Sequence, residues 1–202
     1  LYTYPHLDFP LHAHEEQKAY DLLTSNAQLS IDQTEHIIDT VENSFENYSF
    51  RGAVKLGLLL SEHDQKPTSE KSNRLHTLIA SAAHFLQFSH DGNPPFDVFL
   101  EEMLRRALAE DKRPDVRCAL LYRMAFTKAE RMEDVDAGLP FAELAVKEST
   151  EYIEIDPLMG NYAKSWAHMI RGFIHGFQNK LEEFNDDVTL AVRLIRGQLE
   201  NC

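Results

Sequence analysis

Ten histidines are spread through this 202-residue chain. Imidazole is the side chain best suited to hold a transition metal or to move a proton near neutral pH. Either task needs two such rings, or a ring and a carboxylate, on the same side of an element. His12 and His14 are two residues apart, about 200° around a helix, so they cannot share an ion. His168 and His175 do share a helical face, seven residues apart, but no carboxylate stands three or four residues from either. Glu35, His36 and Asp39 lie close together, yet no Glu-x-x-His pair of the di-iron bundle type occurs. The expectation is surface or hydrogen-bonded histidines, with no metal and no cofactor.

Nucleophile chemistry finds no better footing. The chain has no GxSxG elbow, Walker loop, HExxH helix or GxGxxG turn. Its two cysteines, Cys118 and Cys202, are far apart and form neither CxxC nor zinc-type spacing, which fits a reducing, cytoplasmic setting. Cys118 lies inside an apolar helical stretch, where a buried structural thiol is expected. No apolar run approaches the roughly 20 residues that a membrane span requires. The opening Leu1-Tyr-Thr-Tyr-Pro-His lacks the basic and apolar regions of a signal peptide, and it lacks an initiator Met, so a trimmed or partial chain is expected. A catalytic constellation is absent from the motifs, and a non-enzyme is the expectation.

Charge narrows the partners. The formal net charge is −13; residues 1–50 hold nine acids against Lys18 alone, and residues 105–131 hold eight basic residues against four acids. An acidic chain is poorly made for nucleic acid or an anionic membrane, because phosphate neutralisation requires clustered Lys and Arg. The basic stretch, with Arg105, Arg106, Lys112, Arg113, Arg117, Arg123, Lys128 and Arg131, reads as a solvated helix face interleaved with acids. Together with the acidic start it also permits head-to-tail self-association into a homo-oligomer.

The elements that carry these residues are helical. Hydrophobic residues make up 43% and charged residues 26% of the chain, an ordinary globular balance, and apolar positions recur at helical rather than strand spacing. Expected helices cover 12–24, a second opened by the capping box Ser30–Gln33 and burying Ile31, Ile37, Ile38, Val41 and Phe45, and a third at 49–63. A loop follows over His63–Ser72. A fourth runs from Leu75 to Phe88, and after the turn-rich Ser89–Pro95 a fifth covers Phe96–Ala109. Pro114 opens a sixth to about Met132. The seventh, about Ala137 to Glu148, tolerates Pro140 within its first turn. Asp156-Pro157 caps a long eighth to about Phe177, and 180–199 form a ninth. Short connections between helices make antiparallel hairpins.

The last pair carries the most specific pattern. Trp166 stands six residues before Gly172 within Arg171-Gly-Phe173, Asn179 takes the turn, Leu181-Glu-Glu-Phe184 opens the second helix, and Val188, Ala191 and Leu194 follow at helical spacing. Residues 157–200 thereby resemble a tetratricopeptide repeat. Tyr122-Arg-Met-Ala125-Phe126 and Phe141-Ala-Glu-Leu-Ala145 echo it, and an earlier pair keeps Ala82 and Ala83. Aligning Ala107, Ala145 and Ala191 gives spacings of 38 and 46 residues, so loops are inserted relative to the family unit. The resemblance implies an all-α fold of about nine helices, with antiparallel hairpins stacked as a short solenoid. Residues 1–72 extend or cap the array and 73–202 form the repeat-like hairpins, the whole as one continuous domain. It also implies that Gly172 and Ala191 let the helices approach, and that Trp166, Phe184 and Val188 fill the wedge between them.

By the same resemblance the first helix of each pair lines a groove. The residues three before and one after each small packing residue select Tyr122, Phe126, Met169 and Phe173; one turn further on come Glu130 and Phe177, and the earlier pair offers Ala80, His84 and Gln87. Aromatic anchors beside polar groups suit a protein or peptide partner. The expected function is a non-enzymatic protein- or peptide-binding scaffold. The alternative is a sensory or regulatory domain that binds a small ligand between hairpins.

Overall fold

The computed structural model describes residue 11 and residues 13–25, 28–63, 71–87, 94–131 and 133–199. Among them every regular element is helical and there is no strand. The readings that fall on His12, on most of the loop His63–Ser72, on the turn over 89–93, on Met132 and on Cys202 lie outside the described residues. The chain divides into two compact units, Leu1–Asp91 and Gly92–Cys202.

The first unit holds α1 (His14–Thr24), α2 (Ile31–Glu46), α3 (Phe50–Glu62), a 3-10 turn (Lys71–Arg74) and α4 (Leu75–Leu86). The capping box forms as its residue types demand: the Gln33 N–H donates to Ser30 Oγ at 3.1 Å and the Ser30 N–H to Gln33 Oε1 at 2.9 Å. Ile37, Ile38 and Val41 are buried, whereas Ile31, in the first turn, is exposed and Phe45 only half-buried. Three helices meet at the buried carboxylate of Glu16. It accepts from the Ala13 N–H at 3.3 Å and from Ser44 Oγ at 2.8 Å, and Gly52 of α3 comes so close that a side chain there would collide with it. Two ion pairs, Lys71–Asp39 and Arg74–Glu42, both at 2.6 Å, tie the 3-10 turn to α2. Helix α4 packs in this unit, because the missing side chain of Gly57 makes room for Ile79: a methyl at Gly57 would stand 2.5 Å from Ile79 Cγ1. The sequence boundary at 72/73 assigns α4 to the second part; the division falls after Asp91 instead.

The second unit holds α5 (Pro94–Glu110), α6 (Pro114–Phe126), a π-helical turn (Thr127–Arg131), α7 (Val135–Ile153), α8 (Pro157–Phe177) and α9 (Leu181–Leu199). Consecutive helices from α6 to α9 pack as antiparallel neighbours, and α6 also lies against α8. Asp156 caps α8 by accepting from the N–H groups of Leu158 and Met159 at 3.1 and 3.0 Å. Asn179 turns the chain in the left-handed region with φ 57. Small residues set the helix spacing. A methyl at Gly172 would stand 3.2 Å from Asp187 Cβ and 3.3 Å from Val188 Cγ2, one at Gly138 would stand 2.8 Å from the Ala125 carbonyl, and Ala145 and Ala191 are fully buried.

Three local expectations change. The sixth helix does not run as one α-helix to Met132: its α-helical hydrogen bonding ends at Phe126 and the next turn widens to π geometry. Helix α7 begins at Val135, two residues before the expected start, so Pro140 is its sixth residue and lies beyond the first turn. The bond that Pro140 cannot donate is the one to the Asp136 carbonyl, and Asp136 is exposed in the first turn of the helix. Helix α5 starts at Pro94 rather than Phe96, since prolines in a first turn forfeit no hydrogen bond.

Candidate functional site

The long helix α8 is buried on two sides. Ala163, Ala167, Ile170 and Ile174 belong to its buried positions, and Ala167, Ile170 and Ile174 pack into cores shared with α6 and α7. Gly172 and Gly176 take Phe184 and Val188 of α9. What remains points outward. Leu158, Met159, Tyr162, Trp166, Phe173 and Phe177 are 41–58% exposed, and Met169 between them is half-buried. Spacings of three and four residues place them on one stripe. At 3.6 residues per turn the stripe spans about 100° of the helix surface, and from Leu158 to Phe177 it contains no charged residue.

Helix α6 adds to this face. The Tyr122 ring stacks on Trp166 with centroids 6.2 Å apart and 24° between planes, and Tyr162 meets Trp166 edge-on at 6.4 Å. The Arg123 guanidinium lies 6.0 Å from the Tyr122 centroid. Burial pushes the Tyr122 phenol above its usual range, opposed by the nearby Arg123 charge. The phenol is therefore neutral and the platform is an uncharged aromatic one.

The groove residues selected from sequence separate into groups. Phe173 and Phe177 are exposed and Met169 half-buried, all on the α8 stripe. Tyr122 adjoins it through Trp166, and Tyr122 and Phe126 are both half-buried, packed against the core of Ala125, Ala129, Ala142, Ile170 and Ile174. Glu130 is exposed on the π-helical turn. The first unit carries His84, Gln87 and Ala80. Gln87 and Ala80 are fully buried, and Gln87 Nε2 is spent on His84 Nδ1 at 2.8 Å, so Gln87 offers nothing to a groove. Trp166 also departs from its expected place. Instead of filling the wedge against α9, which Phe184 and Val188 occupy, it stands outward on Tyr122. The family pattern marks only positions near the small packing residue and so passes over Met159 and Tyr162; the uninterrupted charge-free spacing 159, 162, 166, 169, 173, 177 is the signal that finds them.

Behind the stripe, the opposite side of α8 holds a polar cluster. His168 Nδ1 lies 2.7 Å from Asp187 Oδ1, Arg171 donates to both carboxylate oxygens at 2.6–3.2 Å, and His175 Nδ1 lies 3.1 Å from Oδ2. Burial alone raises the Asp187 carboxyl, but the hydrogen bonds from His168 and Arg171 and the guanidinium charge outweigh it and hold the group at about 2. His168 is thus a buried, hydrogen-bonded histidine. Among the described residues no three His, Cys, Asp or Glu side chains gather as a metal site. Cys118 is buried, and burial, with the Glu148 and Asp115 carboxylates adding to it, pushes its thiol up to about 12, which makes it inert as a nucleophile.

The basic stretch is matched by carboxylates within its own unit. Arg105 pairs with Glu101 and Glu102, Arg106 with Glu102, Arg113 with Asp111 and Lys128 with Glu101. Arg117 grips Glu148 with two bonds at 2.9 and 2.7 Å and also reaches the Leu108 carbonyl. In the first unit a cleft of about 450 Å³ is lined by Glu15, Glu16, His36, Asp39, Asn43 and other polar residues, and Asp39 there is paired with Lys71.

The fold and its candidate face thus define an all-α protein of stacked helical hairpins. No protein-family model, curated protein or solved structure matches this chain.

Proposed function

We propose that this chain is a non-enzymatic scaffold that binds another protein or peptide through the outward stripe of α8 and the adjoining Tyr122 and Phe126. The observation that carries this reading is the charge-free row of half-exposed aromatic and Met side chains. A surface of that kind is costly to leave in water and is characteristic of an interface core. The resemblance to tetratricopeptide repeats supports it, because in that family the first helices of each pair face the ligand. The buried, free Cys118 fits a reducing compartment such as the cytoplasm. No helix among the described residues is long and apolar enough to cross a membrane, and the proposed partner is a protein rather than a lipid or a nucleic acid.

The test is affinity capture from host extract with the wild-type chain and with Phe173→Glu, a substitution at an exposed position. The reading expects a partner retained by the former and lost by the latter while the circular dichroism of the two is the same. A partner retained equally by both removes the α8 face from the proposal.

A second reading, a regulatory domain that binds a small ligand between helices, draws on the cleft in the first unit. Its volume of about 450 Å³ is within the range of small-molecule sites. Calorimetric titration with small polar organic molecules, which the His36, Thr40, Asn43 and Asn47 side chains of its lining suit, tests it, and no heat from any of them removes it.

A further inference from the structure

We propose that the occupant of the α8 face is the α8 helix of a second copy of this chain, packed antiparallel about a two-fold axis. The proposal rests on the reading of that face as a protein-docking surface and names its partner.

Area is the first argument. A large aromatic side chain presents about 200 Å² when fully exposed, so six side chains near half exposure present roughly 600 Å² of apolar surface. That is as large as the biggest patch an ordinary monomer leaves uncovered. It also approaches the roughly 800 Å² that each partner buries in a stable complex of standard size.

Chemistry selects a helix. Along the stripe the Tyr162 hydroxyl and the Trp166 indole N–H are the only side-chain polar groups. An extended peptide laid across it would leave its own backbone groups unpaired, at about 1–3 kcal/mol for each one buried. A helix avoids that cost because its backbone bonds internally. The spacing of three and four residues is the one that interdigitates with another helix.

Symmetry and charge select this helix. With the two-fold axis passing level with the Ala167–His168 peptide, Tyr162 falls opposite Phe173, Trp166 opposite Met169 and Leu158 opposite Phe177, so six of the seven stripe residues meet another stripe residue. An isologous pairing of this kind is the commonest oligomeric arrangement. Two chains of net charge −13 repel each other, and a seam without charged residues adds no like-charge contact to that repulsion.

Sedimentation equilibrium of the full chain, from micromolar to hundreds of micromolar and at low and high salt, tests the proposal. A dimer is expected that tightens with salt, as screening reduces the repulsion. Trp166→Glu and Phe173→Glu should each weaken it by about thirtyfold or more with unchanged circular dichroism. The orientation is read by mixing Tyr162→Cys copies with Phe173→Cys copies, both with Cys202→Ser, under mild oxidation; unlike copies should cross-link in preference to like ones. A chain that stays monomeric throughout, a dimer indifferent to both Glu substitutions, or cross-linking only between like copies overturns the proposal. If the chain is monomeric yet Phe173→Glu abolishes capture of a host protein, the docking reading stands and the second copy falls. If Phe173→Glu affects neither, both fall.

Discussion

His168 on α8 and Asp187 on α9 meet at 2.7 Å across a helix crossing that Gly172 makes narrow. Nineteen residues separate them in sequence. Their contact, with Arg171 gripping the same carboxylate, binds the last helix through a buried charge whose counter-groups all come from α8.

Replacing Asp187 with Asn should therefore destabilise the fold by about 2–4 kcal/mol in urea unfolding, below the full cost of breaking a fully buried pair because Arg171 keeps contact with water. The pH dependence has a definite sign. The carboxyl is held at about 2, below its ordinary 3.8, so its contribution is complete above the ordinary value and is lost as pH falls through about 2. The part of the stability gap between wild type and Asp187→Asn that the carboxylate supplies should close between about pH 4 and about pH 2. A gap that widens on acidification contradicts the assignment.

Glycines where an added methyl would and would not meet other atoms should respond in opposite ways. A methyl at Gly160 would stand 2.6 Å from the Ile153 backbone, whereas one at Gly197 would meet nothing within 4 Å. Gly160→Ala is expected to cost about 1–3 kcal/mol through overpacking against backbone that cannot yield. Gly197→Ala should add up to about 1 kcal/mol through helix propensity. Thermal unfolding of the two variants should shift in opposite directions.

Adjacent positions on α8 should separate surface from core. Ile174 is 1% exposed and Phe173 48%. Ile174→Ala should lose about 2–4 kcal/mol by leaving a cavity. Phe173→Ala should change stability by about 1 kcal/mol or less, its effect appearing in association instead. Equal losses of stability at both positions would show that the stripe is part of the core.

Cys118 should resist alkylation in the folded chain. Its thiol is pushed up to about 12 by burial, so at mildly alkaline pH the nucleophilic thiolate is scarce and shielded. Peptide mapping after iodoacetamide treatment should find residue 118 unmodified without denaturant and modified with it.

Much of this protein is written in local signals. Ser30 with Gln33, Asp156 with Pro157 and Asn179 announce helix ends within one turn of themselves, because capping and left-handed turns act on the nearest backbone groups. The small residues Gly172 and Ala191 mark where helices approach, since close packing excludes larger side chains. The all-helical architecture is therefore legible without coordinates. Periodicity likewise shows that His168 and His175 share a face.

What periodicity leaves open is which neighbour covers a face, because that depends on helix crossings set by many weak contacts summed over the whole unit. Only the tertiary structure brings Asp187 between the two histidines, turns Trp166 away from the wedge and onto Tyr122, buries Gln87 and packs α4 against α3. It also decides that the stripe from Leu158 to Phe177 remains uncovered, since α6, α7 and α9 occupy the other sides of α8 and none of them reaches across it.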